Sequence, residues 1–331
     1  MQKYNEIYQL IEWCNNNLRA ASLQISINNI LIYTQTRIIS LDDELCEQIL
    51  STHKGIYEVF VYTDELNVWS GVTYEITQSV PFDHIRLFCD KNTNSINVVF
   101  KEESIHFPDS CFFTKTGVFD YYTISNHNFN NLASMPTIDA DVVLISNCSF
   151  PNKSLQGLNF KLVNRFTIEY CNVEDLGNGV SSFSGMDFII WDTDVKLKSW
   201  KGLPSNLSKL MIGTYSDSEE EPRNGIDGPT TVSYDPNLLR TLPKYLTKCK
   251  ILVLPFPADG TPVPILNVLL IECNELELTF SKSKEQETFS VACIVKRHFD
   301  NKRLRKKDHS TVVMECQEEL IEMGLSKYAK I

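Results

Sequence analysis

The feature that most constrains this chain is a short apolar motif that returns at a nearly fixed interval. It is seen in Tyr122-Thr-Ile124-Ser-Asn-His127-Asn-Phe129 and in Val143-Leu-Ile145-Ser-Asn-Cys148-Ser-Phe150. It returns in Phe166-Thr-Ile168-Glu-Tyr-Cys171-Asn-Val173 and Phe188-Ile-Ile190-Trp-Asp-Thr193-Asp-Val195, and a fifth copy opens as Leu210-Met-Ile212. The central isoleucines at 124, 145, 168, 190 and 212 follow one another by 21, 23, 22 and 22 residues. Apolar residues two apart point to the same side of a strand, and the residues between them point outward. A strand recurring every coil buries its apolar side only against the next coil, so several must stack to be stable. The spacing therefore predicts one buried ladder of isoleucines on adjacent parallel strands.

The pattern extends at both ends. Val98-Val-Phe100 fits upstream, Leu269-Leu-Ile271-Glu-Cys-Asn274-Glu-Leu276 fits downstream, and Ile251-Leu-Val253 is a weaker copy between. A second recurrence, Ser-apolar-x-Gly-apolar, occupies the return path at Ser154–Leu158, Ser182–Met186 and Ser199–Leu203. Leu203-Pro204-x-x-Leu207-x-Lys209 returns as Leu242-Pro243-x-x-Leu246-x-Lys248. Glycine and proline set turns, so irregular turns are expected on the outer side in place of full helices.

These repeats resemble the leucine-rich repeat pattern L-x-L-x-x-N/C-x-L, and more narrowly the repeats of leucine-rich repeat proteins encoded by tailed bacteriophages. The ending Cys316–Lys330 looks like the closing helix of those proteins. The resemblance covers roughly 95–331 and departs from the family in having few strand leucines and a long interruption at 216–240. It implies an α/β, β-rich, leucine-rich-repeat-like solenoid with parallel strands, an N-terminal α/β cap and a C-terminal helix. The expected divisions are a cap segment at 1–94, the solenoid at 95–290, and a C-terminal cap with a basic turn and terminal helix at 291–331.

Before residue 95 no copy of the repeat is evident. Ile7, Leu10, Ile11, Cys14 and Leu18 mark one face of an amphipathic helix. Ile30–Tyr33 and Ile56–Tyr62 read as strands, and Ser40 with Asp43 as a helix start. Such a segment could cover the first coil or form a functional module of its own.

Charge and cysteine usage narrow the class of partner. Lys plus Arg number 31 against 42 Asp plus Glu, a formal charge of −11, which argues against a surface devoted to nucleic acid or anionic lipid. No apolar stretch has the length of a spanning helix, and the first residues lack a signal-peptide layout. The ten cysteines are dispersed without a C-x-x-C pair, as expected of reduced, buried thiols. A cytoplasmic protein is expected, in the host cell if phage-encoded, with the virion as the alternative. In that compartment the N-x-S matches at Asn147, Asn152 and Asn206 carry no glycan.

No phosphate-binding, dinucleotide, nucleophile-elbow or zinc-protease motif occurs. The carboxylate pairs Asp139/Asp141 and Asp192/Asp194 read as strand and turn residues, and His127 takes the Asn/Cys position of the repeat as a structural residue. We expect no enzyme, no cofactor and no metal. The family resemblance points to non-enzymatic protein–protein recognition of a host or virion protein. The outward face of the strands would carry Thr123, Ser125, Thr167, Glu169, Ile189, Trp191 and Met211, with Gly213 beside them. Trp191 is the first candidate anchor, since tryptophan is enriched at interface hot spots; it could equally tuck between neighbouring strands. A structural role in a virion is the first alternative.

The second alternative is a nucleic-acid-binding factor using segment 296–307. There Lys296, Arg297, Lys302, Arg303, Arg305, Lys306 and Lys307 face one Asp. The bland reading of that block is an exposed hairpin tip between strands at 289–295 and 311–313. Segment 216–229 is acidic and turn-rich, and reads as a solvated excursion or a contact loop.

Overall fold

A computed structural model describes residues 2–18, 22–27, 30–34, 37–38, 56–62, 71–191, 194–195, 197, 199–213, 242, 246, 248–255, 265–279 and 286–330. The expected helix near Ser40, the acidic segment 216–229, His53, Cys46 and Asp192 lie outside the described residues. The chain divides into two compact units, Met1–Pro151 with Gly157–Val163, and Asn152–Gln156 with Asn164–Ile331.

The first unit opens with helix α1 (Gln2–Asn17). It buries Ile7, Leu10, Cys14 and, just beyond its end, Leu18, as the spacing predicts. Strands β1 (Ser22–Ile27), β2 (Ile30–Thr34), β3 (Arg37–Ile38), β4 (Tyr57–Tyr62), β5 (Val72–Ile76) and β6 (Ile85–Cys89) follow. After them come β7 (Ser95–Phe100), β8 (Phe119–Ser125), β9 (Ile138–Ser146) and the short β10 (Phe160–Lys161). One sheet has the order β3-β2-β1-β4-β6. The other holds the repeat. Its neighbours β5, β7, β8 and β9 are all parallel, and β10 pairs with β9.

Two inward rows run across those strands. Val72, Ile96, Tyr122 and Val143 form one, and Tyr74, Val98, Ile124 and Ile145 the other, all buried. The predicted partner of Ile124 was Phe100; the observed one is Val98, two residues earlier. Alternation with period two cannot tell such a slip, because both choices keep the same side buried. Phe100 instead lays its ring 4.4 Å from that of His127. Val72–Ile76 joins the array although no repeat is evident in that part of the sequence.

At the far end of β5 the side chain of Asn17 finishes α1. Its Oδ1 accepts the backbone N–H groups of Thr77 (2.7 Å) and Gln78 (3.1 Å), and its Nδ2 donates to the Trp13 carbonyl. A buried amide has all these partners satisfied, which is why a polar residue tolerates 2% exposure there.

The second unit contains β11 (Arg165–Glu169), β12 (Asn172–Val173), β13 (Met186–Trp191), β14 (Asp194–Val195), β15 (Leu207–Gly213), β16 (Lys248–Pro255) and β17 (Glu272–Thr279). Strands β11, β13, β15, β16 and β17 pair in parallel in that order. The inward ladder Phe166–Phe188–Leu210–Leu252–Leu276 crosses all of them and is buried throughout. Ile168, Ile190 and Ile212 form the next row, each fully buried. Both units therefore show the parallel-strand solenoid that the periodicity predicts.

The downstream register departs from expectation. Leu252 and Leu254 carry the inward rows, displaced by one from the expected Ile251 and Val253. Four consecutive apolar residues hide the parity of the strand. Leu269 and Ile271 are not strand partners either. Residues Ile265–Leu270 form a 3₁₀ turn, and Leu276 aligns with Leu252.

The return path has short 3₁₀ turns at Asp109–Cys111, Leu132–Ser134 and Pro151–Lys153. In the second unit a side-chain turn recurs. Ser154 Oγ accepts from Gln156 N (3.1 Å), Asp175 Oδ1 from Gly177 N (3.1 Å), and Ser199 Oγ from Lys201 N (3.3 Å). Behind them Leu155, Leu176 and Trp200 are buried. The true repeat partner of Ser154 and Ser199 is thus Asp175, and the expected Ser182 segment is a separate turn before β13. An aspartate makes the same local bond as a serine, so the letter pattern misleads. Gly202 is required: at φ 91°, a Cβ there would stand 1.9 Å from the Gly177 carbonyl oxygen.

Helices α2 (Gln286–Arg305) and α3 (His309–Glu322) close the chain as an antiparallel hairpin. This corrects the expected strand pair around the basic block. Phe289–Val295 is rich in β-branched residues, but Val291, Ile294, Val295, His298 and Phe299 are buried at helical spacing. Asp308 caps α3, accepting from Ser310 Oγ, Thr311 N and Thr311 Oγ1, and these bonds hold its pKa at about 2. Helix α3 stops at Glu322, earlier than the expected closing helix. Gly324 follows at φ 75°, and Leu325 N donates to the Leu320 carbonyl.

Candidate functional site

The outward rows of the parallel strands carry the residues singled out in the sequence. In the first unit Thr123 pairs with Asn97 and Leu144, and Ser125 with Val99 and Ser146. Tyr121, beside Ser95 and Val142, is 57% exposed. In the second unit Thr167, Ile189 and Met211 lie in one register row that continues to Val253 and Glu277. All three are half-buried, as the inward-outward alternation requires. Glu169, Trp191 and Gly213 form the next row. On the other side runs Arg165, Asp187 and Lys209, with Arg165 and Asp187 paired at 3.5 Å. The face is a mixed one, an apolar stripe bordered by charge.

Just beyond the strands the chain turns sharply. Asn126, Asn147 and Tyr170 have φ of 62°, 50° and 53°. Asparagine tolerates this left-handed conformation better than most residues. Asn147 Nδ2 donates to Asn126 Oδ1 (2.8 Å), and Asn126 Nδ2 to the Phe100 carbonyl (3.1 Å). The thiols one residue on point inward: Cys148 donates to the Ser146 carbonyl (3.2 Å) and Cys171 to that of Glu169 (3.1 Å).

His127 is buried, as its place in the repeat predicts, and it has a partner the sequence did not show. Its Nε2 lies 3.0 Å from Asp109 Oδ1, and both side chains are at most 2% exposed. Asp109 Oδ2 also accepts the N–H groups of Asn130 (2.9 Å) and Asn131 (2.6 Å). Every oxygen of the carboxylate is therefore used in holding the turn. The pair is a structural bracket, enclosed by Phe100, Phe107, Phe112 and Phe129.

The basic block is divided by the helix that carries it. Arg297 and His298 both reach Glu319 on α3, a partnership that lowers the Glu319 pKa. Lys307 pairs with Glu315. Lys302 donates to the Leu269 carbonyl, and Arg303 to that of Asn274. Lys302, Arg303, Lys306 and Lys307 nonetheless line one cleft of about 510 Å³, together with Lys248, Lys250 and His309. Lys296, Arg297 and Arg305 do not line it. In the sequence Lys248 was read only as the end of the recurring Leu-Pro segment and Lys250 not at all; two lysines opening an apolar strand are too common a pattern to signal a site.

Asp139 and Asp141 sit half-buried on β9, each on the outward side of the strand. Among the described residues, no group of three or more His, Cys, Asp or Glu side chains could hold a metal ion. Among them, too, no helix is long and apolar enough to cross a membrane. A scan against models of protein families and searches of curated proteins and of solved structures found no match.

Proposed function

We propose that this chain is a non-enzymatic protein-recognition scaffold of leucine-rich-repeat type, binding through the outward face of its parallel strands. The observation that carries the reading is the placement of Ile189 and Met211. They are neighbours across two strands, half-exposed, and bordered by Arg165, Asp187 and Lys209. An apolar centre with a charged rim is the common anatomy of a protein interface. The rigid strands also hold such a face without the ordering cost that a loop would incur. The sequence resemblance extends the proposal to a phage-encoded protein acting on a host or virion protein, with Trp191 as an added anchor in the adjoining row.

The test is a pull-down from infected cells with the immobilised chain, run alongside mass spectrometry of purified particles. A partner retained by the wild type should be lost from Ile189→Asp combined with Met211→Asp, a cost of about 2 kcal/mol or more if these residues are hot spots. The control Lys296→Glu should retain it. A partner held equally by all three proteins would refute the assignment to this face, provided that circular dichroism shows each variant folded.

A further inference from the structure

The cleft between the amino ends of three parallel strands and the helical hairpin has a chemistry at odds with the rest of the chain. Its walls come from Asn206–Ser208, Lys248–Lys250, Ile271–Asn274 and the α2–α3 region from Phe299 to His309. Six Lys or Arg side chains line it, and Glu272 is the one carboxylate among the lining residues. Yet the whole chain carries a formal charge of −11. Gathering like charges on an otherwise acidic molecule is unfavourable unless something offsets it.

Part of the arrangement has an internal explanation. Cations in the last turn of a helix complement its dipole, which accounts for Lys302 and Arg303 at the end of α2. Lys302 and Arg303 further satisfy carbonyls of the 3₁₀ turn and β17 segments. Neither argument reaches Lys248 and Lys250, which are exposed and come from β16, although Lys248 has Glu272 of β17 as its cross-strand neighbour. Their approach to the helix end adds positive charge beyond what that one carboxylate can offset. The cleft also contains His309, whose buried Nδ1 has no hydrogen-bond partner among the described residues.

From this geometry we propose that the cleft binds a small ligand bearing two or more phosphate groups, with Lys248, Lys250 and Lys306 as its principal contacts. A volume of about 510 Å³ suits a small molecule. A nucleic-acid strand is disfavoured on two grounds. The aromatic side chain in the lining, Phe299, is 2% exposed and offers no face for base stacking. The acidic remainder of the surface would also repel a long polyanion. Clustered ammonium groups suit adjacent phosphates, each contact being a charge-assisted hydrogen bond.

The experiment is calorimetric titration of the full chain with inorganic tripolyphosphate at about 0.15 M salt. The expected result is saturable binding that falls roughly tenfold or more for Lys248→Glu with Lys250→Glu, and weakens with added salt as ion pairing requires. Lys296→Glu, outside the cleft, should leave the affinity unchanged. Circular dichroism melts of the variants should match the wild type. No binding at millimolar tripolyphosphate, or an equal loss in Lys296→Glu, would overturn the proposal. A single-stranded oligonucleotide that binds more tightly than tripolyphosphate would overturn it in favour of nucleic acid.

Discussion

The two units build the same parallel-strand repeat around different interiors. In the first, rings fill the interior: Phe107 and Phe112 lie 5.4 Å apart, Phe129 stacks on Phe150 at 5.2 Å, and Tyr74 of β5 stacks on Phe113 at 4.5 Å. In the second, only Phe166 and Phe188 stack within the ladder (5.8 Å), and leucines take over across β15, β16 and β17. The first interior also encloses the His127–Asp109 pair, while thiols meet backbone carbonyls in both units, Cys111 and Cys148 in the first. Cys249 donates to Ile251 O (2.9 Å), and Cys273 donates to Glu275 O. The comparison separates two decisions. Strand alternation sets which residues turn inward, and the turns opposite set what fills the space between.

The largest expected effect tests the aromatic half. Phe112→Ala removes a ring that meets Phe100, Phe107, Phe129 and His127, and should cost about 3–5 kcal/mol. Ile190→Ala in the other interior should cost about 2–5 kcal/mol, toward the low end where neighbouring aliphatic side chains close over the gap. Urea unfolding monitored by circular dichroism gives both values. Equal costs would remove the distinction between the two interiors.

A smaller loss is expected at the polar bracket. Asp109→Ala leaves the buried His127 ring without its partner and unties the Asn130 and Asn131 N–H groups, at about 1–3 kcal/mol, most of it from the buried ring. Asp109→Asn keeps one acceptor oxygen and should recover part of that loss. If the alanine variant unfolds at the wild-type urea midpoint, the pair is not a structural bracket.

The smallest effect is a rate rather than a stability. Burial pushes the thiols of Cys14, Cys89, Cys111 and Cys316 up to about 12 and that of Cys249 up to about 11. A raised thiol pKa leaves little thiolate at pH 8, and the thiolate is the reactive form. A disulfide reagent at that pH should therefore modify exposed Cys293 first, and the other described cysteines only after denaturation. Fast reaction of Cys249 in the native chain would show that the second interior opens more readily than its packing implies.

The parallel ladder was legible in the sequence because a strand seen once per coil imposes both a parity and a period. Ile124, Ile145, Ile168, Ile190 and Ile212 satisfy both, and each is buried. The amphipathic face of α1 was legible for the same reason, with the helical period in place of the strand one. Where the sequence satisfies two registers at once, it decided nothing: Phe100 against Val98, and Ile251 against Leu252, differ only in pairing. Those choices belong to the tertiary structure, since they depend on which neighbour fills the space beside the strand.

The same limit governs the candidate sites. The outward positions were readable from alternation alone: Thr123, Ser125, Thr167, Glu169, Ile189 and Met211 fall on half-buried strand positions, and Trp191 takes the register position beside Glu169. The basic cleft was not. Lys248 and Lys250 stand some fifty residues from Lys302 and Lys306, and nothing periodic links the two segments. Asp109 and His127 were joined in the same way, by folding alone. Periodic burial is a local constraint that every coil repeats, and so a single chain records it many times. A meeting of charged or polar side chains from separate segments happens once, and only the folded backbone brings it about.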